Sequence, residues 1–416
     1  MSDPVTRDLG FSTKAVHESG ARKESMHALR FPIYAGVAYD FDSAEAMADC
    51  FGGRSMDFAY SRISNPSVEV FEKRMTVLEN GFASVAVSSG MAAISTAVLN
   101  LLNEKDNLVA ASSLFGGTYS LFENVLRPLG IETRFVSIDK PAAVEAAVDG
   151  RTRAIFLETI SNPCIVVPDV EAISAIAKRR NVVVVADSTV TTPYLFKAKP
   201  FGVNVIVHSA TKYISGGATS MGGVIVDMGN FDWTSVPALR SYHRFHEQAF
   251  TARLRKEIYR ETGSCLSPHD AYLQTLGLET LSLRMERICR NAQTVAEFLA
   301  DHAAVRAVMY SGLASSPFHE LAHRQFNGLH GGVLSFRLPD KAASFRFLNR
   351  LTLIRRATNL GDNKSLAIHP ASTIFANLTA EAIRGLGVDE TLVRISVGIE
   401  EIDDLIDDIQ NALKGI

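Results

Sequence analysis

Apolar and polar positions change their rhythm twice along the chain. Over residues 1–60 the apolar side chains are scattered, with Phe11, Phe31, Tyr34, Tyr39 and Phe41 in little helical period, which predicts an extended arm. From about residue 83, short β-branched runs alternate with helical stretches. The runs are Ala83–Val87, Asn107–Ala111, Ile131–Val136, Arg153–Glu158, Val182–Asp187, Val203–His208 and Gly223–Asp227, and helices are expected to open near Met91 and Gly117. Val182–Ala186 is apolar at every position, as a strand buried on both faces should be. Such strands separated by amphipathic helices predict an α/β fold with a mostly parallel sheet covered on both sides. The second half differs. A long helical pattern runs from about Leu278 to Ala304, followed by Val305–Tyr310, Gly332–Leu338, a helix near Lys341–Leu351, a strand at Leu392–Val397 and a terminal helix Ile402–Leu413. That predicts a smaller C-terminal α+β unit, with the boundary near residues 230–260.

Composition narrows the function classes. The 416 residues carry 42 Lys+Arg against 45 Asp+Glu, a net charge of −3, which leaves no global electrostatic footprint for nucleic acid or anionic membrane. No apolar run approaches the roughly 20 residues of a membrane span. Met1–Gly10 lacks a basic-then-apolar signal pattern, so a cytoplasmic protein is expected. Cys50, Cys164, Cys265 and Cys289 form no Cys-x-x-Cys pair, which disfavours a disulfide scaffold or structural zinc.

Ligands of an open parallel sheet bind beyond the carboxyl ends of its strands. The segments there are Ser88-Ser89-Gly90-Met91, Phe115-Gly116-Gly117, Ser161-Asn162-Pro163, Asp187-Ser188-Thr189 and His208-Ser209-Ala210-Thr211-Lys212. A lysine is ordinarily a surface residue and a post-strand Asp ordinarily a helix cap. Lys212, however, follows a buried strand in a loop of small residues, and no helix opens promptly after Asp187. Ser-Ser-Gly at a helix start offers free N–H groups and a positive dipole to an anion. An amine for an aldehyde, a carboxylate for a pyridine nitrogen and a phosphate cradle are together what pyridoxal 5′-phosphate needs.

The sequence resembles the Cys/Met-metabolism family of pyridoxal-phosphate enzymes, on the fold-type-I, aminotransferase-like scaffold. The motifs are Tyr60-Ser61-Arg62-x-x-Asn65-Pro66, Ser88-Ser89-Gly90-Met91, Glu158-Thr159-x-Ser161-Asn162-Pro163, Asp187-Ser188-Thr189, Ser209-Ala210-Thr211-Lys212-Tyr213 and His369-Pro370-Ala371-Ser372. The resemblance implies a Schiff-base lysine and proton shuttle at Lys212, and a pyridine-nitrogen partner at Asp187. It implies a phosphate site made by Ser209, Thr211 and the backbone of Gly90 and Met91, with Ser89 and Thr189 beside them. Tyr60 and Arg62 would reach the phosphate in a neighbouring subunit, Phe115 would stack on the ring, and Asn162 would lie near the cofactor hydroxyl. Arg394 would grip the substrate carboxylate beside Asn162 and the backbone of Asn359. The implied organisation is an arm (1–60) contacting a neighbouring subunit, a large cofactor domain (61–255) and a C-terminal domain (256–416), in a homotetramer built as a dimer of dimers.

Within that family the segments Gly116-Gly117-Thr118, Leu266-Ser267-Pro268, Gly277–Arg287 and Asn359–Pro370 are most similar to O-acetylhomoserine sulfhydrylases. The implied reaction replaces acetate by sulfide or methanethiol on an amino-acid substrate, in methionine biosynthesis. Cystathionine γ-synthase and O-succinylhomoserine sulfhydrylase share the core motifs. Methionine γ-lyases usually carry a cysteine at the position of Gly117. Two departures stand out: Phe115 where the family has a tyrosine, and Ile374-Phe375 where Thr-His is common. Without that tyrosine, the catalytic roles implied for Lys212, Tyr60 and Phe115 read in two ways: acetate leaves without an acid, or Tyr60 or Lys212 supplies the proton. Arg240–Arg260 is rich in Arg and His, a solvated face or a docking site for an acidic sulfur-carrier protein. His319-Glu320-Leu321-Ala322-His323 matches the zinc-peptidase pattern, but lies away from the five segments, and no metal is expected.

Overall fold

The computed structural model describes residues 9–17 and 26–416. The reading of Met1–Gly10 therefore lies, Leu9 and Gly10 apart, outside the described residues. Within the arm the structure places two short helices, Phe11–Val16 and Ala44–Phe51, where the scattered pattern predicts only extended chain. The second is nucleated locally: Ser43 accepts the Ala46 N–H, an N-cap that the period of apolar residues does not reveal.

The first sheet consists of β1 (Ala83–Val87), β2 (Asn107–Ala111), β3 (Glu132–Val136), β4 (Thr152–Glu158), β5 (Val183–Asp187), β6 (Val205–His208) and β7 (Gly223–Asp227). Their order is β1-β7-β6-β5-β4-β2-β3. β3, β2, β4, β5 and β6 pair in parallel, and β7 runs antiparallel to both β6 and β1. β1 thus points the same way as β6, and six carboxyl ends share one edge. Each central strand is buried along almost its whole length, because helices such as Gly90–Leu101 and Val170–Arg180 cover the faces. Val170–Arg180 shows why such a helix stops where it does. Asp169 caps its N-terminus, Lys178, Arg179 and Arg180 sit in its last turn, and Asn181 closes it in the left-handed conformation.

The second sheet holds β8 (Ala307–Met309), β9 (Val333–Arg337), β10 (Arg355–Arg356), β11 (Leu366–Ile368) and β12 (Leu392–Ser396), in the order β10-β11-β12-β9-β8. β10 and β11 are too short to leave a periodic signal, and their sequence reads as loop. The continuous helix expected over Leu278–Ala304 is two helices, Pro268–Glu279 and Leu281–Asp301. They break at Thr280, where Arg284 donates to the Gly277 carbonyl at 2.6 Å and to Thr280 Oγ1 at 3.1 Å. The guanidinium satisfies groups at the end of the first helix, so the apolar period runs on while the backbone turns.

Candidate active site

A cavity of about 370 Å³ opens at the shared edge of the first sheet. Ser89, Gly90, Met91, Phe115, Asn162, Asp187, Thr189, Ser209, Thr211, Lys212 and Arg394 all line it. The segments singled out by position in the sequence therefore meet in space, and β12 of the second sheet contributes the arginine.

Gly90 begins the twelve-residue helix behind β1, with Ser89 as its N-cap accepting the Ala92 N–H at 3.1 Å. A Cβ on Gly90 would stand 2.5 Å from Ser209 Cβ, so only glycine lets this helix start press against the lysine loop. The Ser209 N–H donates to Thr189 Oγ1 at 2.8 Å, and Thr211 Oγ1 accepts from the Gly222 N–H at 3.0 Å. Small side chains and the N–H groups of a helix start make a polar cradle suited to an anion such as a phosphate.

Lys212 Nζ donates to Asn359 Oδ1 at 2.6 Å. Burial, helped by the Arg394 charge, brings its amine down to about 8. Arg394 is 1 % exposed and meets no carboxylate among the described residues. Nη1 donates to Asn162 Oδ1 at 3.2 Å, Nη2 to the Asn359 carbonyl at 2.7 Å, and Nε has no partner. Burial lowers it to about 10. Asp187 accepts the Thr189 N–H at 2.9 Å, and no Lys or Arg among the described residues pairs with it. Burial raises its pKa, while the Thr189 hydroxyl and N–H and the nearby His208 pull it back. A desolvated carboxylate without a cation, an amine of lowered pKa and an orphaned guanidinium N–H fit a protonated pyridine, an aldehyde and a carboxylate respectively.

Tyr60 and Arg62 are not brought to this cavity. Tyr60 is 39 % exposed, and Arg62 donates to the Arg260 carbonyl at 2.7 Å with its guanidinium 5.5 Å from the Tyr60 ring centre. Asn359 serves through its side-chain amide as well as its backbone. Sequence reasoning gave no role to Glu158, Thr358, Leu360, Met221 or Ile374, all of which line the cavity. For Glu158 a signal existed: it closes β4 as Asp187 closes β5, and the two are register partners.

Other sequence candidates resolve differently. Burial pushes the Cys164 thiol up to about 11, and Sγ donates to the Leu386 carbonyl at 3.1 Å, an inert arrangement. His319 lies on a helix with His323, but its Nδ1 pairs with the Ser311 carbonyl at 3.1 Å and its ring stacks on His330. The described residues hold no group of three or more His, Cys, Asp or Glu placed to bind a metal. No helix among them is long and apolar enough to cross a membrane. In the basic segment Arg253 turns inward to the Leu99 and Asn100 carbonyls and Arg255 to Glu72, so fewer charges face solvent than the sequence suggests.

Fold and site together define a pyridoxal-phosphate enzyme of the aminotransferase-like class. Residues 12–414 match the family model described as Cys/Met metabolism PLP-dependent enzyme, and the chain belongs to that family. It is 40 % identical to an L-methionine gamma-lyase of Pseudomonas deceptionensis, over 99 % of this chain and 98 % of that one. It is 37 % identical to an O-acetyl-L-homoserine sulfhydrylase of Corynebacterium glutamicum, over 98 % and 97 % of the two chains. A Campylobacter jejuni protein provisionally named an O-acetylhomoserine (thiol)-lyase superposes with a TM-score of 0.93 at 34 % identity, covering 98 % of this chain and all of that one. Its crystal structure carries N′-pyridoxyl-lysine-5′-monophosphate. The O-acetylhomoserine sulfhydrylase of Wolinella succinogenes superposes with a TM-score of 0.79 at 42 % identity, over 97 % and 100 %.

Proposed function

We propose that this enzyme replaces the acetate of O-acetylhomoserine with a sulfur nucleophile, giving homocysteine from sulfide or methionine from methanethiol, within methionine biosynthesis. The observation that carries this reading is the cavity lining. Lys212 and Arg394 are its only cations among the described residues, and Phe115, Met221, Leu360 and Ile374 give it an apolar wall. One arginine serves the α-carboxylate of the amino acid. Among the described residues this chain offers no second lining cation to a succinyl carboxylate, a phosphate ester or the carboxylate of cysteine, whereas an acetyl group and a small thiol need none.

Lys212, Asp187, Ser89, Gly90, Met91, Thr189, Ser209 and Thr211 would hold the cofactor, with Phe115 stacked on its ring and Asn162 near its hydroxyl. The bound pyridoxal group supplies an electron sink for the pair released at the substrate α-carbon. Arg394 anchors the substrate carboxylate through its unpartnered Nε, and the Asn359 amide holds the Lys212 amine in place. With its amine near 8, Lys212 is partly neutral at cellular pH and can accept the α-proton and return it. Phe115 keeps the apolar contact but has no proton to give. Acetate leaves with the Cγ–O electron pair and needs no such acid, whereas a thiolate does. Gamma-elimination from methionine is the second reading, supported by the 40 % identity to a methionine gamma-lyase. The proton-free Phe115 weighs against it.

The same reading assigns residues 1–60, 61–255 and 256–416 to arm, cofactor domain and C-terminal domain. It places Tyr60 and Arg62 at the phosphate of a neighbouring subunit in a cytoplasmic tetramer. Leu29, Val37, Met47 and Phe51 of the arm are exposed apolar side chains, which supports a subunit surface there. Exposed cations around Phe245, such as Arg244 at 4.9 Å from its ring centre, would meet an acidic sulfur-carrier protein.

The test is a turnover matrix: acetyl-, succinyl- and phosphohomoserine, each with sulfide, cysteine and methanethiol, plus controls without nucleophile scored for keto acid. Acetylhomoserine with sulfide or methanethiol should dominate. Preference for the succinyl ester, or keto acid from methionine as the main product, would overturn the assignment.

A further inference from the structure

Glu158 is 7 % exposed, lines the cavity, and forms no ion pair with any described residue. Its two oxygens do separate work. Oε1 accepts the Phe115 N–H at 2.7 Å, and Oε2 accepts the Asn162 N–H at 3.2 Å. Phe115 belongs to the loop after β2 and Asn162 to the loop after β4, so one side chain ties together two loops. Among the described residues neither N–H has a second acceptor. Phe115 occupies the N-cap of the helix Gly116–Leu121, where its side chain offers no cap. The loop is also tight, since a Cβ on Gly117 would stand 2.6 Å from the Phe115 ring. Asn162 in turn accepts from Arg394 through Oδ1.

We infer that Glu158 is a positioning residue that sets Phe115 over the cofactor ring with one oxygen and Asn162 against Arg394 with the other. A carboxyl suits this task because it presents two acceptors, where an amide presents one. Burial and the Asp187 charge hold Glu158 up to about 8, so near neutral pH it is largely uncharged. Glutamine then keeps the shape and charge of this state. It retains the shorter bond to Phe115 and sets an NH2 group against the Asn162 N–H. Methionine, of similar volume, removes both bonds and leaves little cavity.

The inference rests on the cofactor that the family carries, not on the choice of ester or sulfur donor. The test compares holoenzymes of wild type, Glu158→Gln and Glu158→Met by the induced circular dichroism of the bound cofactor, the dissociation constant for pyridoxal phosphate and the KM for the amino-acid substrate. Far-UV spectra and melting temperatures report folding. Glu158→Gln should keep the dichroism and raise KM by about tenfold, the loss of one buried hydrogen bond. Glu158→Met should raise KM likewise, lose at least half of the dichroism, and weaken cofactor binding by about tenfold. In a Phe115→Leu background, Glu158→Met should change the dichroism little further, because the group it positions is gone. Equal dichroism in all three proteins, equal loss in the two variants, or full additivity with Phe115→Leu would overturn the assignment. If Glu158→Met does not fold, the comparison of wild type with Glu158→Gln carries the test through KM: no rise between those two overturns it. A wild type that binds the cofactor but turns over a different ester leaves this inference standing and removes only the proposed reaction.

Discussion

The acidic groups of the cavity, Glu158 and Asp187, end neighbouring parallel strands and are register partners. The basic groups, Lys212 and Arg394, come from a loop of the first sheet and from the middle of β12 in the second. The acidic pair is therefore fixed by strand pairing within one sheet. The basic pair exists only because two sheets dock. Glu158 and Arg394 are buried and Asp187 and Lys212 partly so, and none of the four forms a salt bridge among the described residues. Glu158 uses both oxygens on backbone N–H groups, whereas Arg394 keeps an Nε without a partner among the described residues.

Breaking the basic pair at its chemical member should have the largest effect. Lys212→Ala should abolish the visible absorbance of the lysine-bound cofactor and cut turnover by about 10³-fold or more. A coloured, active variant would remove Lys212 from its role. Next comes the member supplied by the second sheet. Arg394→Ala should raise KM by roughly 30- to 150-fold, corresponding to about 2–3 kcal/mol for a charged hydrogen bond, with a smaller change in kcat. An unchanged KM would detach the second sheet from substrate binding. The smallest effect is on proton linkage in the cofactor-free protein, where the two pairs act in opposite senses. Glu158 has its pKa raised from 4.5 to about 8, so the folded chain holds more protons than the unfolded chain between those values. Its contribution to stability is present below about 4.5 and is lost as pH rises through about 8. Lys212 has its pKa lowered from 10.5 to about 8, so the unfolded chain holds more protons between those values, and its contribution grows as pH rises through that window. The melting temperature against pH should therefore fall toward pH 8, and Glu158→Gln should flatten that descent. A descent of the same slope in the variant would show that Glu158 is not the group responsible.

Much of this was legible in the chain. The seven strands of the first sheet lie where continuous apolar runs predict them, within about two residues, because strands buried on both faces cannot alternate. Lys212, Asp187, Asn162 and the Ser89-Gly90 turn could be located because a parallel sheet sends its post-strand loops to one edge. Glu158 was overlooked although it sits at the end of a run, since a glutamate there reads as an ordinary strand terminus until its register with Asp187 is known. The side-chain role of Asn359 and the lining by Thr358, Leu360 and Ile374 had no periodic signal at all. They lie in irregular chain between β10 and β12 and reach the cavity only through docking of the second sheet.

By itself the sequence determined the alternation of strand and helix, the parallel sheet and the identity of the residues at its loaded edge. Those follow from burial and local hydrogen bonding, which neighbouring residues dictate. Only the tertiary structure decided that Arg394 arrives without a carboxylate and that Lys212 is brought to about 8. Those depend on desolvation and on which groups meet across 147 residues for Lys212 and Asn359 and 232 for Arg394 and Asn162, and no local pattern carries that distance.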